Sequence, residues 1–266
     1  DPTLASVLKP LVRGEDAINY QNGELPFYGI NFGDMSEQEA KGFKRLFEIA
    51  EKNVKPERLK GKDRKLSTYW WKYKRQTKGL YKKACKLNRV LVHSFTSKYI
   101  GFRFVPSDSI FVAPLVVLLS EEFSFFAVLQ SSLHKCWVED VSTMRHDIRY
   151  TPSDCFETFP MPLQLETLKA IGEKYYTYRE ELMAAKGGGI TGIYNLLHNP
   201  EEVSSDIVKL RMLEVKLDQQ VLAAYGWSDI EAKHEFQETL KGVRYSVSES
   251  FRKEILKRLL HMNGES

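Results

Sequence analysis

The spacing of apolar and polar positions changes along the chain, and each spacing predicts a different element. Residues 1–35 hold no sustained period. Gly14, Asn22-Gly23, Pro26, Gly29 and Gly33 punctuate them, which predicts loops and short strands. From Ser36 the period becomes helical, with Phe43, Leu46, Phe47 and Ala50 on one face. Ser36 and Glu39 read as a capping box, in which each side chain satisfies a free N–H at the helix start. Pro56 stops that helix. Val90-Leu91-Val92, Tyr99 to Val105 and Ser109 to Val112 are rich in β-branched and aromatic residues and predict strands. Phe123 to Trp137 predicts a buried helix. Arg149-Tyr150-Thr151-Pro152 and Phe159-Pro160-Met161-Pro162 are extended, because proline disfavours helix in the residue before it. The second of these marks a domain boundary. Beyond it the pattern is helical: Leu165 to Lys186, then Asp206 to Tyr225 with Ile207, Leu210, Leu213, Leu217 and Val221 on one face. A last helix starts at the capping box Ser246–Glu249 and carries Phe251, Ile255, Leu256, Leu259 and Leu260. The expected fold class is α+β, with a mixed α/β domain over residues 1–162 and a helical C-terminal domain over 163–266.

Composition supports that division. A chain of 266 residues suits one or two domains, and 42% hydrophobic with 12% aromatic residues suffices for a sizeable core. No stretch reaches the roughly 18 unbroken apolar residues of a membrane span. The longest run, Ile110 to Ser120, is interrupted by Pro114, and no membrane partner is expected. The chain starts at Asp1 with no signal peptide, and DPTLAS reads as the start of a piece of a longer protein. Cys85, Cys136 and Cys155 are odd in number and form no CxxC pair, which points to a reducing cytoplasm. His134, Cys136 and His146 match no zinc spacing, and no metal is expected.

Charge placement adds more than net charge. The total is only +4, yet Lys41 to Arg103 holds 20 Lys and Arg against four acids (Glu48, Glu51, Glu57 and Asp63). That segment is +16 and the rest of the chain −12. Tyr69, Trp70, Trp71, Tyr73 and Tyr81 are interleaved with it, so a folded basic surface is expected and not a basic tail. Such a block is the footprint of a polyanion, because each phosphate neutralised releases condensed counterions. A solvated helix face is the competing explanation. Trp70 and Trp71 suit core anchors better than base-stacking platforms.

Catalytic patterns are missing. An adenine methyltransferase holds the target amino group with an Asn/Asp-Pro-Pro-aromatic tetrad, and no Pro-Pro occurs in this chain. No glycine-rich strand-to-helix turn for a nucleoside cofactor appears either. Gly187-Gly188-Gly189 follows a helix and lacks a following Gly-Lys-Ser/Thr, so it reads as a helix cap and link. No carboxylate cluster with a lysine suggests a metal-dependent nuclease. His134, in an apolar helix, reads as a core histidine and not as a base.

Several motifs together resemble the region after the catalytic domain of fused adenine methyltransferases, including types IIG and IIL restriction–modification enzymes and phage-defence methylases. They are KPLVRGED (9–16), YGINFGDMSEQEA (28–40), VKPERLK (54–60), YWWKYKR (69–75) and RVLVHSFTSKY (89–99). LQSSLHKCW (129–137), RYTPSDCFETFPMP (149–162), TGIYNLLHNP (191–200), LDQQVLAAYGW (217–227) and RLLHMNGE (258–265) continue the series. Their order and combination, not any one of them, carries the resemblance. It implies a target-recognition domain over 1–162 and a helical region after it, in a bacterial parent whose methyltransferase domain precedes this chain. Double-stranded DNA and that methyltransferase domain are the implied partners. S-adenosylmethionine, with Mg2+ as a further candidate, is implied for the parent and no cofactor for this chain.

In this reading Lys60, Lys62, Arg64, Lys65, Lys72, Lys74, Arg75, Lys78, Lys82 and Arg89 contact the DNA backbone. The resemblance places base readers near HSFTSKY, where Ser94, Thr96, Ser97 and Lys98 offer groups for major-groove edges. A stand-alone RNA-binding or scaffold protein is the alternative, and a complete enzyme with an unfamiliar site a third possibility.

Overall fold

A turn-rich amino-terminal stretch folds into short pieces tied to a sheet formed much later in the chain. The computed structural model describes residues 2–19, 25–74, 77–142, 147–239 and 242–264. Helix α1 (Pro2–Ala5), strand β1 (Leu8–Val12), helix α2 (Gly14–Asn19) and strand β2 (Tyr28–Ile30) come first. β1 and β2 pair antiparallel, with Lys9 opposite Gly29. A Cβ at Gly29 would lie 2.6 Å from Ile110 Cδ1, so β2 runs close over the Ile110 side chain.

Helices follow through the basic segment: α3 (Glu37–Lys41), α4 (Lys44–Asn53), α5 (Lys55–Lys60), α6 (Arg64–Thr68) and α7 (Lys78–Ala84). The capping box forms as expected: Glu39 N donates to Ser36 Oγ at 3.3 Å, and Ser36 N to Glu39 Oε2 at 2.7 Å. The helix expected from Ser36 onward is broken between Lys41 and Lys44. Pro56 sits in the first turn of α5 and starts a helix there, because that turn needs no donor from it. Val7, Phe32, Ala40, Leu46, Phe47, Ala50 and Trp70 form a small core under these helices. Trp70 meets Phe47 edge-on at 5.1 Å, and Trp71 Nε1 donates to Met35 O at 3.0 Å. Both tryptophans anchor the fold.

The strands are β3 (Arg89–Ser94), β4 (Thr96–Ser97), β5 (Arg103–Pro106), β6 (Ile110–Phe111) and β7 (Leu115–Leu118). β3 is central, with antiparallel neighbours β5 and β7, and Leu91 lies opposite both Phe104 and Leu118. Its middle, Val90-Leu91-Val92, is apolar on both faces because both are covered. Val90 and Val92 pack with Val12, Ala17 and Ala84, whereas Leu91 faces the main core. β6 pairs in parallel with β1 and ties the amino-terminal strands to this unit.

The buried helix expected over Phe123 to Trp137 is two helices, α8 (Phe123–Gln130) and α9 (Ser132–Val141). Ser131 is extended (φ −65°, ψ 158°), and its hydroxyl caps α9. Strand β8 (Ile148–Arg149) then pairs antiparallel with β4, and helix α10 (Pro152–Cys155) follows.

After the Phe159–Pro162 crossover come α11 (Lys169–Lys186), α12 (Gly189–Leu197) and α13 (Ser205–Ala224). Gly187, Gly188 and Gly189 all have positive φ and join α11 to α12, the cap-and-link role read from their sequence. The purely helical ending expected here is corrected by a hairpin, β9 (His234–Thr239) and β10 (Gly242–Val247), before α14 (Glu249–Gly264). Ser246 lies in β10, and Ser248 Oγ accepts from Phe251 N at 3.2 Å in its place at the helix start.

One core joins sheet and helices across residue 162. It includes Leu91, Phe104, Leu118, Phe126 and Trp137 together with Ile171, Tyr175, Leu213, Val221 and Ile255. At Gly172 in α11 a Cβ would lie 2.1 Å from Phe123 O, so α11 and α8 pack nearly backbone to backbone. Buried polar groups bind the same layers. Arg179 is fully buried and donates to Gln130 Oε1 at 3.0 Å and to Phe102 O at 2.6 Å. Asp218 accepts from Ser132 N at 2.8 Å and lies 2.7 Å from His234 Nε2. Burial opposes ionisation of Asp218, yet His234, Ser132 and Lys135 hold its carboxyl below the usual range.

Candidate nucleic-acid interface

Helices α5 and α6 bury none of their residues and α7 only Ala84, so their lysines turn outward. Lys60, Lys62, Arg64, Lys65, Lys74, Lys78 and Lys82 are exposed. Among the described residues Lys60, Lys62, Arg64, Lys65 and Lys82 form no ion pair; Arg75 lies outside the described residues. Lys74 pairs with Asp63 at 2.9 Å and Lys78 with Asp34 at 2.8 Å. Such exposed pairs are worth at most about 1 kcal/mol, so both ammonium groups remain available to phosphate. Asp63 also caps α6, accepting from Lys65 N and Leu66 N, and Lys74 leads these groups in holding its carboxyl below the usual range. Lys72 is half-buried; its Nζ donates to Asp34 O at 2.8 Å and lies 5.8 Å from the Trp71 ring centre. These groups border a shallow cavity of about 600 Å3 containing Tyr69 and Tyr73.

Arg89 is half-buried and held by its neighbours instead. Its Nε and Nη2 donate to Glu121 O at 3.1 and 2.8 Å, and its guanidinium lies 3.8 Å from the Phe104 ring centre and 4.2 Å from that of Phe123. It latches the sheet to the start of α8, which corrects its assignment as a phosphate contact.

The HSFTSKY segment divides by facing. Ser94 and Ser97 are buried. Ser94 Oγ donates to Thr96 O at 2.8 Å, and Ser97 Oγ donates to Tyr99 O at 2.9 Å while lying 3.3 Å from His93 Nε2. Neither hydroxyl faces a groove, which corrects their assignment as base readers. Thr96 and Lys98 are exposed, and Lys98 Nζ donates to Asn195 Oδ1 at 2.7 Å. Arg149 stands opposite Thr96 in the β4–β8 ribbon, exposed, with its guanidinium 5.3 Å from the Phe95 ring centre. Among the described residues it has no hydrogen bond or ion pair. The sequence reading missed it, though an arginine beside a candidate base-reading segment is a strong groove donor.

His134 is a core residue, its Nε2 2.9 Å from Tyr150 Oη and its ring 4.6 Å from that of Phe159. Burial pulls its pKa down to about 3, with the nearby His93 adding to the shift. Burial pushes the Cys136 thiol up. His146 lies outside the described residues, and among those described no group of three His, Cys, Asp or Glu is placed to hold a metal. Gly187–Gly189 joins two helices with no strand before it, so this cluster does not fit a nucleoside cofactor. Among the described residues no helix is long and apolar enough to cross a membrane.

A strongly basic helical face beside a small antiparallel sheet, with a two-stranded ribbon at the surface, defines an α+β binding module. The chain belongs to the family described as MmeI, target recognition domain, whose profile matches residues 1–163. DNA methyltransferase A of Bacillus subtilis (strain 168) is 26% identical over 164 residues, which is 60% of this chain and 18% of that protein. A solved structure of the type IIL restriction–modification enzyme MmeI in complex with DNA matches 100% of this chain and 32% of its own, with a TM-score of 0.66 at 19% identity. At that identity the likeness is one of fold. The chain therefore spans a third or less of the length of these relatives.

Proposed function

We propose that this chain is the DNA-reading region of a longer S-adenosylmethionine-dependent N6-adenine methyltransferase or restriction–modification enzyme of the bacterial cytoplasm. The methyltransferase domain of the same parent carries the chemistry and its cofactor. The observation behind this reading is the set of exposed, unpaired cations at Lys60, Lys62, Arg64, Lys65 and Lys82, on and between helices α5–α7, within a family of target recognition domains. Cations with no carboxylate partner gain more from phosphate than paired ones do, since no existing bond is broken. Lys72, Lys74 and Lys78 extend the face, with Arg75 between them in sequence. Thr96, Lys98 and Arg149 stand on the ribbon as candidates for base edges.

The test is a salt series. Duplex binding is measured by fluorescence anisotropy for the original chain and for Lys60→Glu/Lys62→Glu/Arg64→Glu/Lys65→Glu. The slope of log K against log salt should flatten by roughly 0.9 for each phosphate no longer neutralised, equally for all sequences. An unchanged slope and affinity would reduce the basic block to a solvated face.

A further inference from the structure

A second concavity lies away from the basic helices. It is a half-open cleft of about 760 Å3 between the Lys98–Ile100 segment, helices α9, α12 and α13, and the β9–β10 hairpin. Its walls are aromatic. Tyr99 lies 5.1 Å from His198 and 5.5 Å from Tyr194, centre to centre, and Tyr245 comes from the hairpin.

Its floor carries a fixed acceptor. Glu214 is only 4% exposed and lines the cleft. Lys135 Nζ and Tyr175 Oη donate to the same oxygen, Oε1, at 3.0 and 3.1 Å. Among the described residues nothing donates to Oε2. Oε2 is not sealed in the interior, so it is an acceptor that can be reached from the cleft.

A fixed donor stands in the wall. His198 Nδ1 accepts from Tyr245 N at 3.2 Å, which puts the ring proton on Nε2. That N–H has no partner among the described residues. Burial, with Lys135, Arg244 and Lys98 nearby, pulls the pKa of His198 down to about 3 and keeps the ring neutral.

The rim is charged on both sides. Lys98 and Arg244 have no carboxylate partner among the described residues, and Arg244 Nη1 donates only to Val243 O, at 2.8 Å. Glu139, Glu238 and Glu249 line other parts of the rim, and Arg252 sits 3.8 Å from both Asp140 and Glu249. An anion is therefore favoured only at the Lys98–Arg244 end.

We propose that this cleft is a nucleotide pocket. The base stacks on the Tyr99–His198 and Tyr245 walls, gives an N–H to Glu214 Oε2 and accepts from His198 Nε2–H. Its phosphate meets Lys98 and Arg244. Stacking on aromatic faces suits any base, whereas the paired donor and acceptor require a base edge that offers both. Lys98 and Ile148 belong to the cleft and adjoin the β4–β8 ribbon, so one chemistry has two sources: a free nucleotide, or a nucleotide extruded from a duplex held at the ribbon. The second source rests on the DNA reading above, and the first does not.

Two measurements on the 266-residue chain separate them. In one, the four deoxynucleoside 5′-monophosphates are titrated calorimetrically. In the other, a duplex carries one 2-aminopurine opposite an abasic site, a base that leaves the stack at little cost. Its fluorescence falls when the ring stacks on tyrosine. Saturable binding of a free monophosphate below about 1 mM supports the proposal and assigns a free ligand. Quenching of the 2-aminopurine without free binding supports it and assigns an extruded one. In either case Glu214→Gln and Arg244→Ala should each weaken the signal roughly tenfold or more. Arg244 is half-exposed and forms no ion pair among the described residues, so Arg244→Ala decides the matter if Glu214→Gln fails to fold. No binding in either arm overturns the proposal, as does unchanged binding by Arg244→Ala with its melting temperature within about 3 °C of the original. A duplex that does not bind at all would count against the DNA reading while the free-nucleotide arm still stands.

Discussion

Gly172→Ala tests whether the helices after residue 162 are fused to the sheet or merely follow it. The added Cβ would sit 2.1 Å from Phe123 O, 2.9 Å from Phe123 C and 3.1 Å from Ala127 Cβ. The nearest of these atoms is backbone, so no side chain can swing aside. Restoring an ordinary separation parts α11 from α8 by about 1 Å and loosens the tight packing between them. Overpacking of this kind costs about 1–3 kcal/mol. Alanine gains about 0.8–1 kcal/mol over glycine in a helix interior, which opposes the clash without matching its upper range. The expected net loss is about 0–2 kcal/mol, and at roughly 2–4 °C per kcal/mol the melting temperature should fall by up to about 8 °C. Scanning calorimetry reads this directly. Gly79→Ala in α7, where a Cβ meets nothing within 4 Å, is the control and should hold or raise the midpoint. If Gly172→Ala raises the midpoint as the control does, helix propensity has won, and the close packing of α11 on α8 is refuted.

Acid should destabilise the fold through its buried histidines. Burial leads in pulling His93 down to about 4 and His134 and His198 to about 3, against 6.5 in the unfolded chain. Because the folded values are depressed, their contribution is complete above pH 6.5 and is lost as pH falls toward 4. Thermal midpoints should therefore drop between those limits, less steeply in His134→Gln; a flat profile would mean that these rings are not held neutral. On the ribbon, Arg149→Ala in the full-length parent should change the preferred base at one position of its methylated sites, at about 1–3 kcal/mol of discrimination. A uniform loss mapped across the genome would make Arg149 a phosphate contact.

Much of the fold could be read from the chain because its signals are local. The capping box needs only Ser36 and Glu39, and the central strand shows itself in the β-branched stretch Val90-Leu91-Val92. The elements that were missed depend on neighbours. Gln130-Ser131-Ser132 sits inside an apolar helical pattern, and the break appears only because Ser132 N, freed at the start of α9, finds Asp218. The hairpin strand β9 is largely polar, His-Glu-Phe-Gln-Glu-Thr, and lacks the β-branched run that marks a strand. It holds through its partner, where Gln237 Nε2 donates to Ser246 O at 3.1 Å and Val247 O at 2.8 Å.

The exposure of the basic helices was legible for the same reason. A block of lysines around aromatics announces a charged face wherever the helices turn, because an ammonium on a long stem reaches water from most positions. Arg89 is the exception in that block, since two aromatic rings and the Glu121 carbonyl happen to converge on it. Base-reading residues are harder, because one register step decides which hydroxyl faces out. Strand alternation puts Thr96 and Lys98 on one face and Ser97 on the other, and by that rule Ser94 belongs with Thr96. Yet the start of α2 covers it: a Cβ at Gly14 would lie 3.0 Å from Ser94 Oγ. Arg149 reaches Thr96 only through the β4–β8 pairing of two short strands far apart in sequence. A charged face can thus be read from composition, whereas the facing of single side chains on the ribbon depends on a few tertiary contacts. Substitutions at Arg149 and Thr96 should therefore alter which sites are used, and substitutions in the lysine block how tightly any site is held.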